Sequence, residues 1–282
     1  MLAGEFPMLF RGAKWTTEKI LDRLTTRRVR TLELYNTSAG DDLLLELAGT
    51  GSLTALDVSS AHITDVGVQV IVRQCKLKSL MFRDAVGVTD RSMVDISGCK
   101  TLRELYLEGT SVSDDGIGHI GRLPELWSLD ISRTAVTDIG LERIASDRIR
   151  LISFNDSQIT GRGFSSWSVP DKFSLYTRRS QLDDEGFAVA CRSFPFLWNL
   201  AIEDVPLTNK GLFSLAGQQP PSMRINGSRI DRDGVLWIIE NLPVQLLETD
   251  TRQFSQADAK LYENYQGRYL KILPWDHSET DQ

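Results

Sequence analysis

The sequence predicts an α/β solenoid in which short parallel strands line one face and short helices the other. Three observations carry that expectation. One pattern returns about every 23 to 25 residues along a chain of 282, which is the spacing of a stacked repeat. Each copy opens on apolar residues with a period of two, such as Leu105 and Leu107 or Leu129 and Ile131, the mark of a strand with one buried face. Each copy then reaches a helix-capping residue, often followed by an acid and a glycine.

At the N-terminal end, Trp15, Ile20, Leu21 and Leu24 lie around a helix start at Thr16 and Thr17. They predict a short amphipathic helix within a capping segment, residues 1–28, that closes the open end of the core. The repeats occupy residues 29–256 and number about ten. Their clearest copies run from Leu102 to Ile117 and from Leu126 to Leu141. Others begin near Leu53, Leu77, Ile149, Lys172, Leu197, Pro220 and Val244, with a degenerate first copy near Val29.

Within each repeat the strand gives way to a helix. Thr64, Thr89, Ser113, Thr137, Thr160, Asp183, Thr208, Asp231 and Ser255 occupy one equivalent position, and all are N-cap residue types. Such a cap satisfies an orphan helix amide and contributes about 1 kcal/mol. Directly after it stand Asp65, Asp90, Asp114 and Asp138, with Asn209 as a weaker relative, where negative charge favours the helix end. Two residues further on come Gly67, Gly116, Gly140, Gly163, Gly186, Gly211 and Gly234. Glycine in a first helical turn costs about 1 kcal/mol against alanine, so its recurrence implies that neighbouring repeats stack too closely for a side chain. Inward apolar positions follow, as in Leu141 and Ile144 or Val235 and Ile238. Residues 257–273, with Leu261, Tyr262, Tyr265, Tyr269, Leu270 and Ile272, are expected to cap the far end before a polar tail, 274–282.

These residues resemble the leucine-rich-repeat family, in the variant whose repeats carry a Thr-Asp-x-Gly-Leu helix start. That variant is familiar from stand-alone bacterial repeat proteins and from the cysteine-containing subclass of F-box proteins. Cys75 and Cys99, each shortly before the next strand, match the subclass; later repeats depart from it. Thr110, Thr134, Ser157 and Ser228 stand where better-known forms carry an asparagine ladder, and their hydroxyls are suited to bonding the adjoining loop backbone. The resemblance implies a right-handed horseshoe arc, strands concave and helices convex, as one continuous domain.

Composition agrees with an ordered protein, at 41% hydrophobic and 25% charged. A formal charge of −6 disfavours nonspecific attraction to nucleic acid or anionic lipid. Three widely spaced cysteines fit a reducing compartment better than a disulfide framework, and the apolar start is broken by Glu5. Cytoplasmic residence is the resulting expectation. Neither an F-box nor a catalytic domain is legible.

The motifs of nucleotide binding, acyl transfer and zinc hydrolysis are missing, and His62, His119 and His277 are scattered. Asp231 to Gly234 mimics part of a calcium loop, with Glu240 at the distance of a bidentate ligand, but Arg229 occupies the first ligand position. No cofactor, metal or small-molecule substrate is expected, and the chain is read as no enzyme.

Function is then expected from the variable positions that flank the buried strand residues. Tyr35, Met81, Arg83, Tyr106, Arg133, Tyr176, Arg178 and Arg224 should project from the concave face, with Trp127 on its rim. Asp57, Glu108, Asp130, Glu203, Glu248 and Asp250 should share that face. Aromatic, methionine and arginine side chains are the types enriched in protein interfaces. The expectation is a protein-binding module acting as scaffold, adaptor or neutralising partner. A ligase-type substrate receptor, and an enzyme using Asp57, Glu108 and Asp130, are the alternatives.

Overall fold

The computed structural model describes residues 7–24, 29–250 and 269–273. The chain divides into two compact units, Met1–Ile149 and Arg150–Gln282.

In the first unit the strands are β1 (Met8–Arg11), β2 (Thr31–Tyr35), β3 (Ala55–Asp57), β4 (Ser79–Met81), β5 (Glu104–Tyr106) and β6 (Ser128–Asp130). They alternate with α1 (Thr17–Leu24), α2 (Asp41–Ala48), α3 (Asp65–Gln74), α4 (Asp90–Ile96), α5 (Asp114–Ile117) and α6 (Asp138–Arg143). Every strand pairs parallel with the next in sequence order. The register aligns Leu32, Leu56, Leu80, Leu105 and Leu129 in one column, and all five are buried. A parallel sheet needs a crossover between strands, and the helices supply it.

The second unit repeats the scheme with β7 (Leu151–Ser153), β8 (Phe173–Arg178), β9 (Leu197–Glu203), β10 (Ser222–Arg224), β11 (Leu246–Asp250) and β12 (Tyr269–Leu273). Between them lie a 3-10 turn (Arg162–Ser166), α7 (Asp184–Ser193), α8 (Asn209–Leu212) and α9 (Arg232–Asn241). The core column here is Ile152, Leu175, Leu200, Met223 and Leu247.

Each unit therefore shows the α/β repeat fold that the sequence predicts. At both ends the structure adds a strand. Residues 7–24, expected as a helical cap, hold β1 as well as α1, whose Ile20 and Leu24 are buried. Met8 to Arg11 lacks the repeat signature and was legible only as an apolar stretch; pairing with β2 makes it a strand. Likewise Tyr269–Leu273 extends β11 in register, with Leu270 opposite Leu247. Ser255, Leu261, Tyr262, Tyr265 and the tail lie outside the described residues.

The caps are real bonds. Thr64, Thr89, Ser113, Thr137, Asp183, Thr208 and Asp231 each accept from a backbone amide in the first turn of the helix they begin. Thr160 departs from the series. The turn at Arg162–Ser166 starts from Gly161 at φ +96° with no side-chain cap. Glycines at 161 and 163 are poor helix formers, so only a 3-10 turn survives, and a cluster of Phe154, Phe164, Trp167, Phe173 and Phe194 fills the space.

The aspartate column does more than complement a dipole. Asp114 Oδ1 accepts from Thr137 N at 2.7 Å and Gly140 N at 2.9 Å, and its Oδ2 accepts from Thr137 Oγ1 at 2.7 Å. The same inter-repeat clasp joins Asp41 to Thr64, Asp65 to Thr89, Asp90 to Ser113 and Asp184 to Thr208. Burial would raise the Asp65 carboxyl, but hydrogen bonds from Ser92 and Thr89 outweigh it and hold it below its ordinary value. The glycine column leaves room for these carboxylates. A Cβ on Gly140 would lie 2.5 Å from Asp114 Oδ1, and one on Gly211 at 2.5 Å from Asp184 Oδ1. Where Ser92 replaces the glycine, its hydroxyl joins the clasp on Asp65.

The hydroxyls in place of the asparagine ladder serve their own turns. Thr110, Thr134, Ser157 and Ser228 each donate to the carbonyl three residues back.

Candidate protein-binding surface

A strand buried on one face must show its alternate residues on the other. In the first unit Leu9, Glu33, Asp57, Met81, Tyr106 and Asp130 stand side by side in register. In the second the row is Ser153, Tyr176, Ala201, Arg224, Glu248 and Lys271. The placement of Met81 beside Tyr106, and of Tyr176 between the small residues Ser153 and Ala201, follows directly from that pairing.

The candidate residues divide by environment. Tyr35 and Trp127 are exposed at 42% and 41%, while Met81, Tyr106, Tyr176 and Arg178 are half-buried. Trp127 precedes β6 and its amide bonds Arg103 O, at the rim and off the strand row. Tyr176 and Arg224 line one shallow depression of about 240 Å³ with Asn199, Ala201, Ser222 and Glu248. Met81 borders another, of about 210 Å³, with Thr31, Glu33, Ala55, Asp57 and Ser79.

The arginines are committed to carboxylates of their own chain. Glu108 is held between Arg83 Nε at 2.5 Å and Arg133 Nε at 3.3 Å, and Arg133 also pairs with Asp84. Burial would lower the Arg133 guanidinium, yet Asp84 and Glu108 outweigh it and hold it above its ordinary value. Arg178 meets Asp204 at 3.3 Å, and Arg224 lies between Glu203 and Glu248. Glu248 also meets Lys271 at 2.8 Å; this bond, opposed by burial and aided by Arg224, keeps its carboxyl below the usual range.

Three acids expected on the open face are buried instead. Asp130 accepts from Ser132 N at 2.8 Å, Asp250 accepts from Gly227 N at 2.8 Å, and Glu248 is enclosed by its cations. Their burial is a tertiary fact that periodicity along one strand does not contain. Burial pushes the Asp130 carboxyl up against the opposing bonds from Ser132.

A sequence family described as leucine-rich repeat matches residues 52–72, which span β3 and most of α3. The chain carries a leucine-rich-repeat match there, within the α/β fold of leucine-rich repeats. Among solved structures, an internalin from Listeria monocytogenes is similar with a TM-score of 0.54 at 15% identity, covering 88% of this chain and 76% of that one. Internalin C2 from the same organism gives a TM-score of 0.42 at 16% identity, over 73% and 75%. At such identity the likeness concerns the fold alone. No curated protein matches the sequence at a significant level.

Sequence reading missed one feature of the leucine-rich-repeat surface. Asn36, Ser60, Asp84, Gly109, Arg133, Asp156, Arg179, Asp204 and Gly227 recur at one position after the strands, all with φ between +50° and +69°. Their charged members are ion-paired: Asp84 with Arg133 in the first unit, and in the second Asp156 with Arg179 and Asp204 with Arg178, the strand residue before Arg179. The signal was present in the spacing and in the Asn, Asp and Gly types that tolerate left-handed backbone. Ser60, Arg133 and Arg179 obscured it.

His62 and His119 are exposed and far apart in sequence, and all three cysteines are buried and unbridged. Burial pushes the Cys191 thiol up to about 12 and raises those of Cys75 and Cys99. Asp231, the calcium-loop candidate, accepts from Asp233 N, Gly234 N and Asn209 Nδ2. Among the described residues no cluster of three or more His, Cys, Asp or Glu is placed to hold a metal, and no helix is long and apolar enough to cross a membrane.

Proposed function

We propose that this chain is a non-catalytic interaction module that binds a protein partner on the exposed face of its sheet. The observation that carries the reading is the outward row itself. Met81 and Tyr106 stand together in one unit, and in the other Tyr176 borders a depression flanked by small side chains. Each rests on a strand whose opposite face is packed solid, so the aromatic groups are held with little conformational freedom left to lose on binding.

The ion-paired arginines orient that surface more than they attract anions, which supports a protein partner over nucleic acid. Against the enzyme alternative, the acids it would use are already engaged. Asp57 is bonded to Ser59, Glu108 is clamped by two arginines, and Asp130 serves Ser132. Scaffold, adaptor and neutralising roles all fit this surface, as does a receptor subunit of a larger complex.

The test places a photo-crosslinking phenylalanine analogue at Tyr106, at Tyr176 or at Glu142, which is exposed on α6, in the native cell. Discrete adducts from the tyrosine positions are expected, suppressed by an untagged wild-type competitor and retained when that competitor carries Tyr106→Ala and Tyr176→Ala. Adducts arising only from position 142 would refute sheet-face binding.

A further inference from the structure

The second unit contains one interruption of its ladder that packing alone does not demand. Phe173 pairs with Leu197, but the next residue, Ser174, pairs with Asn199, so Trp198 is an extra residue on β9. A bulge of this kind turns a side chain out of the sheet, and bulges recur where proteins present functional groups. Trp198 is 41% exposed, and Phe196, two residues earlier and on the same outward side of buried Leu197, is 58% exposed.

The bulge is held rigidly. Buried Gln218 accepts from Leu197 N at 3.3 Å and donates to Cys191 O at 3.0 Å and Phe194 O at 3.1 Å. Phe194 is stacked on Phe173 with centroids 3.7 Å apart and planes 6° from parallel. Two large aromatic side chains therefore project from a backbone fixed on both sides, at an entropic advantage over aromatics on a mobile loop.

Lys172 completes the patch. Its ammonium lies 3.4 Å above the Trp198 ring centroid and forms no ion pair among the described residues. It differs in this from the arginines of the sheet face, which are neutralised by carboxylates of their own chain. A cation partly desolvated by an indole still has donors directed outward, and a carboxylate is their natural complement.

The geometry points to a second docking patch, at the start of β9 and outside the depression that Tyr176 lines, in which Phe196, Trp198 and Lys172 receive an acidic protein segment carrying a carboxylate beside an aromatic or aliphatic side chain. The apolar side chain covers Phe196 and the free edge of Trp198, while the carboxylate meets the Lys172 ammonium. The assignment rests on the reading of the chain as a protein-binding module.

Panning a random 12-residue peptide library on the immobilised full chain tests it, with the affinity of each enriched peptide measured for four variants. Trp198→Ala and Phe196→Ala truncate exposed side chains, Lys172→Glu reverses the charge, and Tyr176→Ala reports the sheet face; circular dichroism checks that each is folded. Enriched peptides should pair Asp or Glu with an apolar neighbour. They should lose about tenfold or more in affinity on Trp198→Ala and Lys172→Glu, and be unaffected by Tyr176→Ala. The patch is overturned by an absence of enrichment, by peptides without acidic residues, or by affinities indifferent to Trp198→Ala. Peptides sensitive only to Tyr176→Ala would overturn it too, while leaving the sheet-face reading standing.

Discussion

Replacing Gly140 by alanine should destabilise the first unit, although helix propensity alone favours the change by about 1 kcal/mol. The added Cβ would sit 2.5 Å from Asp114 Oδ1, 2.6 Å from Val136 Cγ1 and 3.0 Å from Ile117 Cγ2. Overpacking of this kind costs about 1 to 3 kcal/mol. If the carboxylate moves aside, it weakens bonds to Thr137 N, Thr137 Oγ1 and Gly140 N, and hydrogen bonds to a charged acceptor are worth about 1.5 to 3 kcal/mol each, toward the lower end where solvent reaches them. The net loss should be about 2 to 4 kcal/mol, opposite in sign to the propensity effect. Urea unfolding followed by circular dichroism measures it. A cycle with Asp114→Ala separates the causes: with the carboxylate gone, Gly140→Ala should cost about 1 to 2 kcal/mol less, the residue being its contacts with Val136 and Ile117. A neutral or stabilising Gly140→Ala, or an unchanged cost in the Asp114→Ala background, would refute the reasoning that glycine is there to admit the clasp.

The pH dependence should carry two opposite signs. Asp65, with a folded pKa below 3.8, contributes fully above that value and loses its contribution as pH falls through the folded pKa, so Asp65→Asn should flatten the acid limb of a stability profile. Asp130, raised by burial, costs stability above its folded pKa; Asp130→Asn keeps the acceptor for Ser132 N and should be as stable or more so at pH 7, the difference vanishing below 3.8. In denaturant titrations Leu129→Ala should cost about 2 to 5 kcal/mol, and Thr137→Ala about 0.5 to 2, because the first empties a core site and the second removes a cap; equal losses would contradict the assignment. Alkylation by iodoacetamide at pH 8 should be slow at all three buried thiols of the native chain and fast after unfolding; rapid native labelling of Cys191 would show that its burial is misplaced.

The sequence by itself determined the strands of the repeats, most of the helix starts and the inward leucines, because those depend on periods of two and of 3.6 and on capping types that act within a few residues. It also located the glycine column and pointed to close stacking there, while the carboxylates that the glycines admit came from the structure. Tertiary structure decided what each polar side chain bonds. Asp114 reads locally as a charge at a helix start, yet its acceptors serve Thr137 and Gly140 in the next repeat. Arg83, Arg133 and Arg224 read as open contacts, yet carboxylates one or two repeats away hold them. Asp130 and Asp250 alternate correctly for the open face and are buried there. The bulge at Trp198 is held in place by Phe173, Phe194 and Gln218, residues separated from one another by 21 to 45 positions in the chain. Local periodicity fixes which way a side chain points; the partner it finds there depends on the register between strands, which is set only when the repeats stack.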